Sequence, residues 1–214
     1  MTPDLIVLGL TWFVVFLFST TLHEAAHAFA AYRMGDPTAY EGGQVSLNPL
    51  PHIKREPFGM VVVPLLYFAL TKNGVIGWAS APYDPRWAQH YPKRAALMAA
   101  AGPAANLLLA VIAGVLLRFG VATQLPAAAM PLWILFSLNL LLFVFNLLPM
   151  PPLDGSAILP IFMSQGLAQR YRDLIHQPMF SLLGLLVAWQ AFPYLFTPIQ
   201  SLAIRLFLPG AGFR

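Results

Sequence analysis

His23-Glu24-Ala25-Ala26-His27 lies inside an apolar run that begins near Leu5 and ends near Tyr32. On a helix the two histidines are i, i+4 neighbours, so both imidazoles leave the same face. Two neutral imidazoles at that spacing can hold one Zn²⁺, and Glu24 flanks the metal, placed to take a proton from water. A charged side chain at the centre of a membrane-length helix costs about 2.5–3.5 kcal/mol on insertion scales. A bound metal offsets that cost. The alternative is a pair of polar residues bonding across a helix bundle.

The rest of the composition supports a membrane setting. Of 214 residues, 58% are hydrophobic and only 9% charged, against about 25% charged in soluble domains. Residues 1–214 therefore read as one integral membrane domain. The net charge is +4, but no basic run is interleaved with aromatics, which argues against a nucleic-acid partner. The charge is better read as membrane orientation. Cysteine is absent, so any zinc must use His, Asp or Glu. The first apolar run lacks a basic leading segment and carries the histidine pair, so it reads as a retained span rather than a signal peptide.

Four spans are expected: Leu5–Ala31, Ala95–Leu117, Leu132–Leu148 and Pro178–Phe196, with an apolar tail to Leu208 too short to cross again. Tyr40–Leu47, with Gly42-Gly43, reads as a short strand or hairpin, and Asn48-Pro49-Leu50-Pro51 as a turn. Lys54, Arg55 and Glu56 face water. Phe58–Thr71 is apolar but short for a crossing, which suits a re-entrant or interfacial segment. Gly74–Pro92 reads as loop, with Trp78 and Trp87 at headgroup level. Re-entry puts Arg33, Lys54, Arg55, Lys72, Arg86, Lys93, Arg94, Arg170 and Arg172 on one side, nine of the twelve basic residues. Arg118 falls opposite, and Arg205 and Arg214 depend on the tail. The positive-inside rule makes the basic side cytoplasmic and the N-terminus external. His23, Asn106 and Asp154 then lie at similar depth near that face. The expected fold is an all-α polytopic membrane protein of four to five spans, with a re-entrant, partly β segment between the first two core spans.

A catalytic zinc takes three protein ligands and keeps a position open. Asp154 is the best third ligand, as the acid near a span end at the right depth. Pro149, Pro151 and Pro152 unwind the chain before it, and Gly155 frees the turn after it. The alternative is that Asp154-Gly155 is a turn or a helix cap. Asn106, one turn after Gly102, reads as a donor to a developing oxyanion, or as an interhelical bond with Gly102 giving close packing. Asn146 suits packing, His52 a solvated loop, and His90 and His176 the surface.

Three motifs stand in order: His23 to His27, Gly102-Pro103-Ala104-Ala105-Asn106, and Asn146 through Gly155. Together they resemble the site-2 protease family of intramembrane zinc metalloproteases, in its compact prokaryotic form without a PDZ domain. The likeness covers roughly residues 15–160, including Gly35-Asp36-Pro37-Thr38 and Ser46-Leu47-Asn48-Pro49-Leu50, and leaves C-terminal helices over 160–208. It implies His23, His27 and Asp154 as ligands of one Zn²⁺ per chain, Glu24 as general base, and a β-rich re-entrant element over residues 38–72. It also implies cleavage in or near transmembrane helices of substrates, in a prokaryotic inner membrane, with the site toward the cytoplasm. Homo-oligomerisation is left open. Similar members often carry His-Ile-Asp-Pro where this chain has His52-Ile53-Lys54-Arg55. Tyr40–Leu47 is a candidate edge for pairing with an extended substrate. The rival readings are a metal transporter or channel and a catalytically silent membrane binder.

Overall fold

The computed structural model describes residues 2–208 except residue 176, so His176 and Arg214 lie outside the described residues. The α-helices, in order, are α1 (Pro3–Arg33), α2 (Thr38–Glu41), α3 (Pro49–Arg55), α4 (Val63–Thr71), α5 (Pro85–His90), α6 (Pro92–Arg118), α7 (Val121–Gln124), α8 (Ala129–Asn146), α9 (Asp154–Ile158), α10 (Gln165–Ile175) and α11 (Pro178–Phe207). Four segments are long and apolar enough to cross a membrane: Pro3–Arg33, Pro92–Arg118, Pro126–Asn146 and Met179–Phe207.

The centre of the bundle is α6, packed against α1 and α8. Its buried face is almost all small: Ala96, Ala99, Gly102, Ala110, Ala113 and Gly114. Hydrocarbon gives apolar side chains no drive to associate, so close backbone approach over small residues is what holds such helices together. Larger groups fill the space around that stripe. Phe136, Leu140 and Val144 of α8 and Ile204 of α11 close on Ala110 and Ala113, while Val15 and Phe16 of α1 meet Ile134 and Leu138.

Local contacts fix the helix directions. His23 meets Asn106, and His27, one turn later in α1, meets Met98, two turns earlier in α6, while Arg118 at the end of α6 donates to the Leu206 carbonyl at the end of α11 (2.6 Å). The C-terminal ends of α1 and α8 and the N-terminal ends of α6 and α11 therefore share one end of the bundle. Arg205 falls at the other end, with Arg118.

Between α1 and α6 the chain runs out and back. Phe58–Val62 forms a π-helical turn that leads into α4. Phe68 of α4 packs so closely on Gly9, near the start of α1, that a Cβ there would sit 2.8 Å from a ring carbon. Residues 75–84 return without helix, and the Asp84 amide donates to Asp36 just beyond the end of α1 (2.9 Å).

Several expectations are corrected. Among the described residues there is no strand, so the β character expected within 38–72 is absent. Thr38–Glu41 is a helical turn, and the glycines after it make a bend, Gly43 at φ +71°, with no neighbouring strand to pair with. Asn48-Pro49-Leu50-Pro51 starts a helix: the Asn48 side chain accepts from the Leu50 amide and Pro49 takes the first position, where its missing N–H is harmless. The Glu56 carboxylate is half-buried and accepts from the Ser80 hydroxyl (2.6 Å). Trp87 is buried in the protein, its indole N–H directed at the Met34 carbonyl just beyond α1 (3.4 Å). His52 is 1% exposed, not solvated, and donates from Nε2 to the Ser46 carbonyl (3.1 Å). The last span does not stop at Phe196; α11 runs on through Pro193 and Pro198, and the Thr197 hydroxyl donates to the Pro193 carbonyl (2.7 Å).

Candidate metal centre

His23 and His27 sit one turn apart on α1, with their rings 4.6 Å centre to centre and nearly perpendicular. Their Nε2 atoms are 2.9 Å apart. The Asp154 carboxylate closes the triangle, with Oδ2 3.2 Å from His23 Nε2 and Oδ1 3.4 Å from His27 Nε2. A tetrahedral ion with bonds of about 2.0–2.1 Å holds its ligands roughly 3.3 Å apart. The three groups could therefore hold one metal ion.

Protonation decides whether the donor set fits. His27 Nδ1 is 2.8 Å from the Met98 carbonyl, which can only accept, so Nδ1 carries the proton. His23 Nδ1 is 2.5 Å from Asn106 Oδ1, also an acceptor. In their neutral forms both imidazoles then turn Nε2 lone pairs toward each other and toward a carboxylate. Asp154 Oδ2 is buried without a hydrogen-bond partner among the described residues. Two imidazole nitrogens and a carboxylate converging at that spacing, with each Nδ1 engaged elsewhere, are a donor set that fits a zinc ion.

Neighbouring backbone makes the arrangement possible. Gly102 brings α6 against the imidazoles; a Cβ there would lie 2.6 Å from His23 Nε2. On the other side α8 ends at Asn146, whose side chain donates to the Leu142 carbonyl of its own helix (3.0 Å) and so has the packing role. The proline-rich loop then turns back. Leu153 packs with Leu148 and Ala188 of α11, and Gly184 admits the Pro151 carbonyl, which a Cβ would meet at 2.6 Å. The residue capping α9 is Leu153, with no side-chain bond, so the Asp154 carboxylate is spent on the histidines rather than on a helix end. A Cβ at Gly155 would meet the Leu148 carbonyl at 2.5 Å, so that position needs glycine for space.

Glu24 is buried and makes no hydrogen bond or ion pair among the described residues. With His27 and Asp154 it lines a cavity of about 450 Å³. Ala79–Tyr83, which belongs to no helix, forms another part of its wall, and Arg172 and Ile175 of α10 also line it. The Ser80 carbonyl accepts from Gln44 (3.4 Å) and its hydroxyl donates to Glu56, so one edge of the wall is tethered to the body of the protein. Ala79 and Ala81 make no backbone hydrogen bond among the described residues.

Asp36 anchors the far end of that wall. It is 1% exposed and accepts from the Thr38 amide (3.0 Å), the Thr38 hydroxyl (2.5 Å) and the Asp84 amide (2.9 Å). Burial pushes its carboxyl up, but these donors outweigh burial and hold its pKa below the ordinary carboxylate value.

Of the residues singled out from sequence, His23, His27 and Asp154 come together, and His27, Asp154 and Glu24 line the cavity. Asn106 sits behind His23 instead: Oδ1 faces the ring and Nδ2 donates to Asn139 Oδ1 (2.8 Å), so its amide is already engaged rather than aimed at an oxyanion. His52 and His90 stand outside the cluster. Asn139, Ser19 and the Met98 carbonyl were not anticipated. The one available signal was Asn139 itself, a carboxamide inside an otherwise apolar span.

Known proteins agree with this chemistry. The sequence profile of peptidase family M50 matches residues 120–186. The "Putative zinc metalloprotease YwhC" of Bacillus subtilis (strain 168) is 34% identical over 193 residues, covering 82% of this chain and 83% of the relative. The "Putative zinc metalloprotease Rip2" of Mycobacterium tuberculosis (strain H37Rv) is 36% identical over 182 residues, 82% of this chain and 64% of the relative. Its namesake in Mycolicibacterium smegmatis is 38% identical over 143 residues, 65% of this chain and 52% of the relative. No solved structure matches. With its apolar helices, its zinc-compatible donor set and this likeness over most of its length, the chain belongs to peptidase family M50, the site-2 protease family of zinc metalloproteases.

Proposed function

We propose that this metalloprotease is an endopeptidase that cuts peptide bonds in or near transmembrane helices of membrane proteins, with its site toward the cytoplasm. The observation that carries the reading is the meeting of His23, His27 and Asp154 beside Glu24 in a cavity between membrane-length helices. In this reading His23, His27 and Asp154 hold one zinc ion. When bound, zinc supplies Lewis acidity, lowering the pKa of a coordinated water toward about 7 and polarising the scissile carbonyl.

The chain's own residues do the rest. Glu24, unpaired and facing the cavity, accepts the proton of the attacking water and returns it to the leaving amine. Asn106 holds His23 in register. The substrate reaches the site as extended chain, because a helical amide is covered and already hydrogen-bonded. In this reading the backbone of Ala79 and Ala81, which makes no hydrogen bond among the described residues, receives such a segment by strand addition.

The test is Glu24→Gln in the purified full chain. Zinc content is expected to stay at wild-type level while cleavage of a membrane-helix substrate falls by about 10²–10⁴-fold. Cleavage retained at wild-type rate would remove Glu24 from the mechanism.

A further inference from the structure

The two imidazoles are held in different ways. His27 donates to a backbone carbonyl, which cannot turn round. His23 donates to a side-chain amide, and a carboxamide can flip. Flipped, Asn106 would offer Nδ2 to His23 Nδ1, drive the ring proton to Nε2 and remove the lone pair aimed at the metal position. Something must prevent the flip, because Asn106 is fully buried and has no water to arbitrate.

The chain of contacts continues to a fixed point. Asn106 Nδ2 is 2.8 Å from Asn139 Oδ1. Asn139 Nδ2 is 2.8 Å from the Ser19 hydroxyl and 2.8 Å from the Leu135 carbonyl. Asn106, Asn139 and Ser19 are all 0% exposed. The Leu135 carbonyl is an acceptor and nothing else, so the Asn139 atom beside it must be the nitrogen. Its oxygen then faces Asn106, Asn106 must answer with its nitrogen, and its own oxygen is left for His23. Each step has one solution, and each is set by the step before.

We infer that Asn139, through Asn106, is a positioning residue that locks His23 in the Nδ1–H tautomer and so keeps the His23 Nε2 lone pair available to a divalent metal. The inference rests on the metal-centre reading above. The polarity of the wire originates in the backbone of α8, passes to α6 and ends on α1, so the three central helices must be assembled before the ligand is committed. Groups that orient metal-binding histidines typically change metal affinity about 10–100-fold when removed.

The experiment is a Co²⁺ and Zn²⁺ titration of the metal-free full chain in detergent, for wild type, Asn139→Leu and Asn139→Asp, with thermal melting of each metal-free form. Asn139→Leu removes the acceptor and is expected to bind Co²⁺ about 10–100-fold more weakly than wild type. A carboxyl group buried at that position is kept neutral by desolvation and can both accept from Asn106 and donate to the Leu135 carbonyl, so Asn139→Asp is expected to recover most of the affinity. Equal binding by wild type and Asn139→Leu, or equal losses in both variants, overturns the inference. Absence of metal binding by wild type overturns the metal-centre reading instead. Nitrogen-15 chemical shifts of the histidine rings in metal-free wild type give a readout that needs no variant to fold. A neutral His23 carrying its proton on Nδ1 supports the inference, and one carrying it on Nε2 refutes it.

Discussion

At the scale of single residues, this site is built as much by what is missing as by what is present. Gly102 is a helix-interior glycine, which elsewhere would be stabilised by roughly 0.5–1 kcal/mol on replacement by alanine. Here the added methyl would fall on both imidazoles. Gly102→Ala is therefore expected to lower zinc occupancy sharply and abolish cleavage in a protein that still inserts and folds; zinc analysis beside a cleavage assay decides it. The meeting of the histidine pair was legible in the sequence because a separation of one helical turn points two rings the same way. Asp154 was legible because prolines and a glycine around it forbid a continuing helix at that depth. Asn139 was not, because a lone carboxamide in an apolar run does not reveal its partner. For Asn106 the sequence left two readings, an oxyanion donor and an interhelical bond; the three-dimensional contacts show both ends of its amide engaged between helices.

At the scale of elements, the return of residues 75–84 beside α1 depends on one carboxylate. Asp36 joins the end of α1 to the start of α5 through the Asp84 amide. Because its folded pKa lies below the ordinary value of about 3.9, it contributes stability that is fully present above that value and lost as pH falls through the folded pKa. Wild type is therefore expected to lose stability on acidification below about pH 4 more steeply than Asp36→Asn, which starts lower because it has given up a charged acceptor; melting curves across that range test the slope. The misread elements share a cause. Tyr40–Leu47 has the glycines of a hairpin, but a strand is defined by its neighbour and none lies beside it. The two prolines of α11 are helix stops by the rules of water, yet they are tolerated inside helices that cross a membrane, and α11 runs on through both. Phe58–Thr71 was read as too short to cross, and it is a short apolar helical stretch, with Phe68 packed on Gly9 near the start of α1.

At the scale of the whole molecule, the helix directions put Arg33, Lys93 and Arg94 at the end that holds the metal centre and Arg118 and Arg205 at the other. If the positive-inside rule holds here, the first of these ends faces the cytoplasm. The chain has no native cysteine, so single replacements report without background. Both Lys93 and Leu125 are exposed, at opposite ends of α6 and the loop beyond it. In intact cells a membrane-impermeant maleimide is expected to label Leu125→Cys and to leave Lys93→Cys unmodified until the membrane is opened. The reverse pattern would invert the topology while leaving the protease assignment intact.

The cavity beside Glu24 is floored in part by methyl groups, Ala28 and Ala31 on one helix, Ala95 and Ala99 on another and Ala157 beyond Asp154, among larger neighbours that include Met98, Tyr83 and Leu153. Exchanging one of those methyls for a bulkier side chain would narrow the berth offered to a guest residue without touching the histidines or Asp154, so the size of what is admitted is adjustable one position at a time.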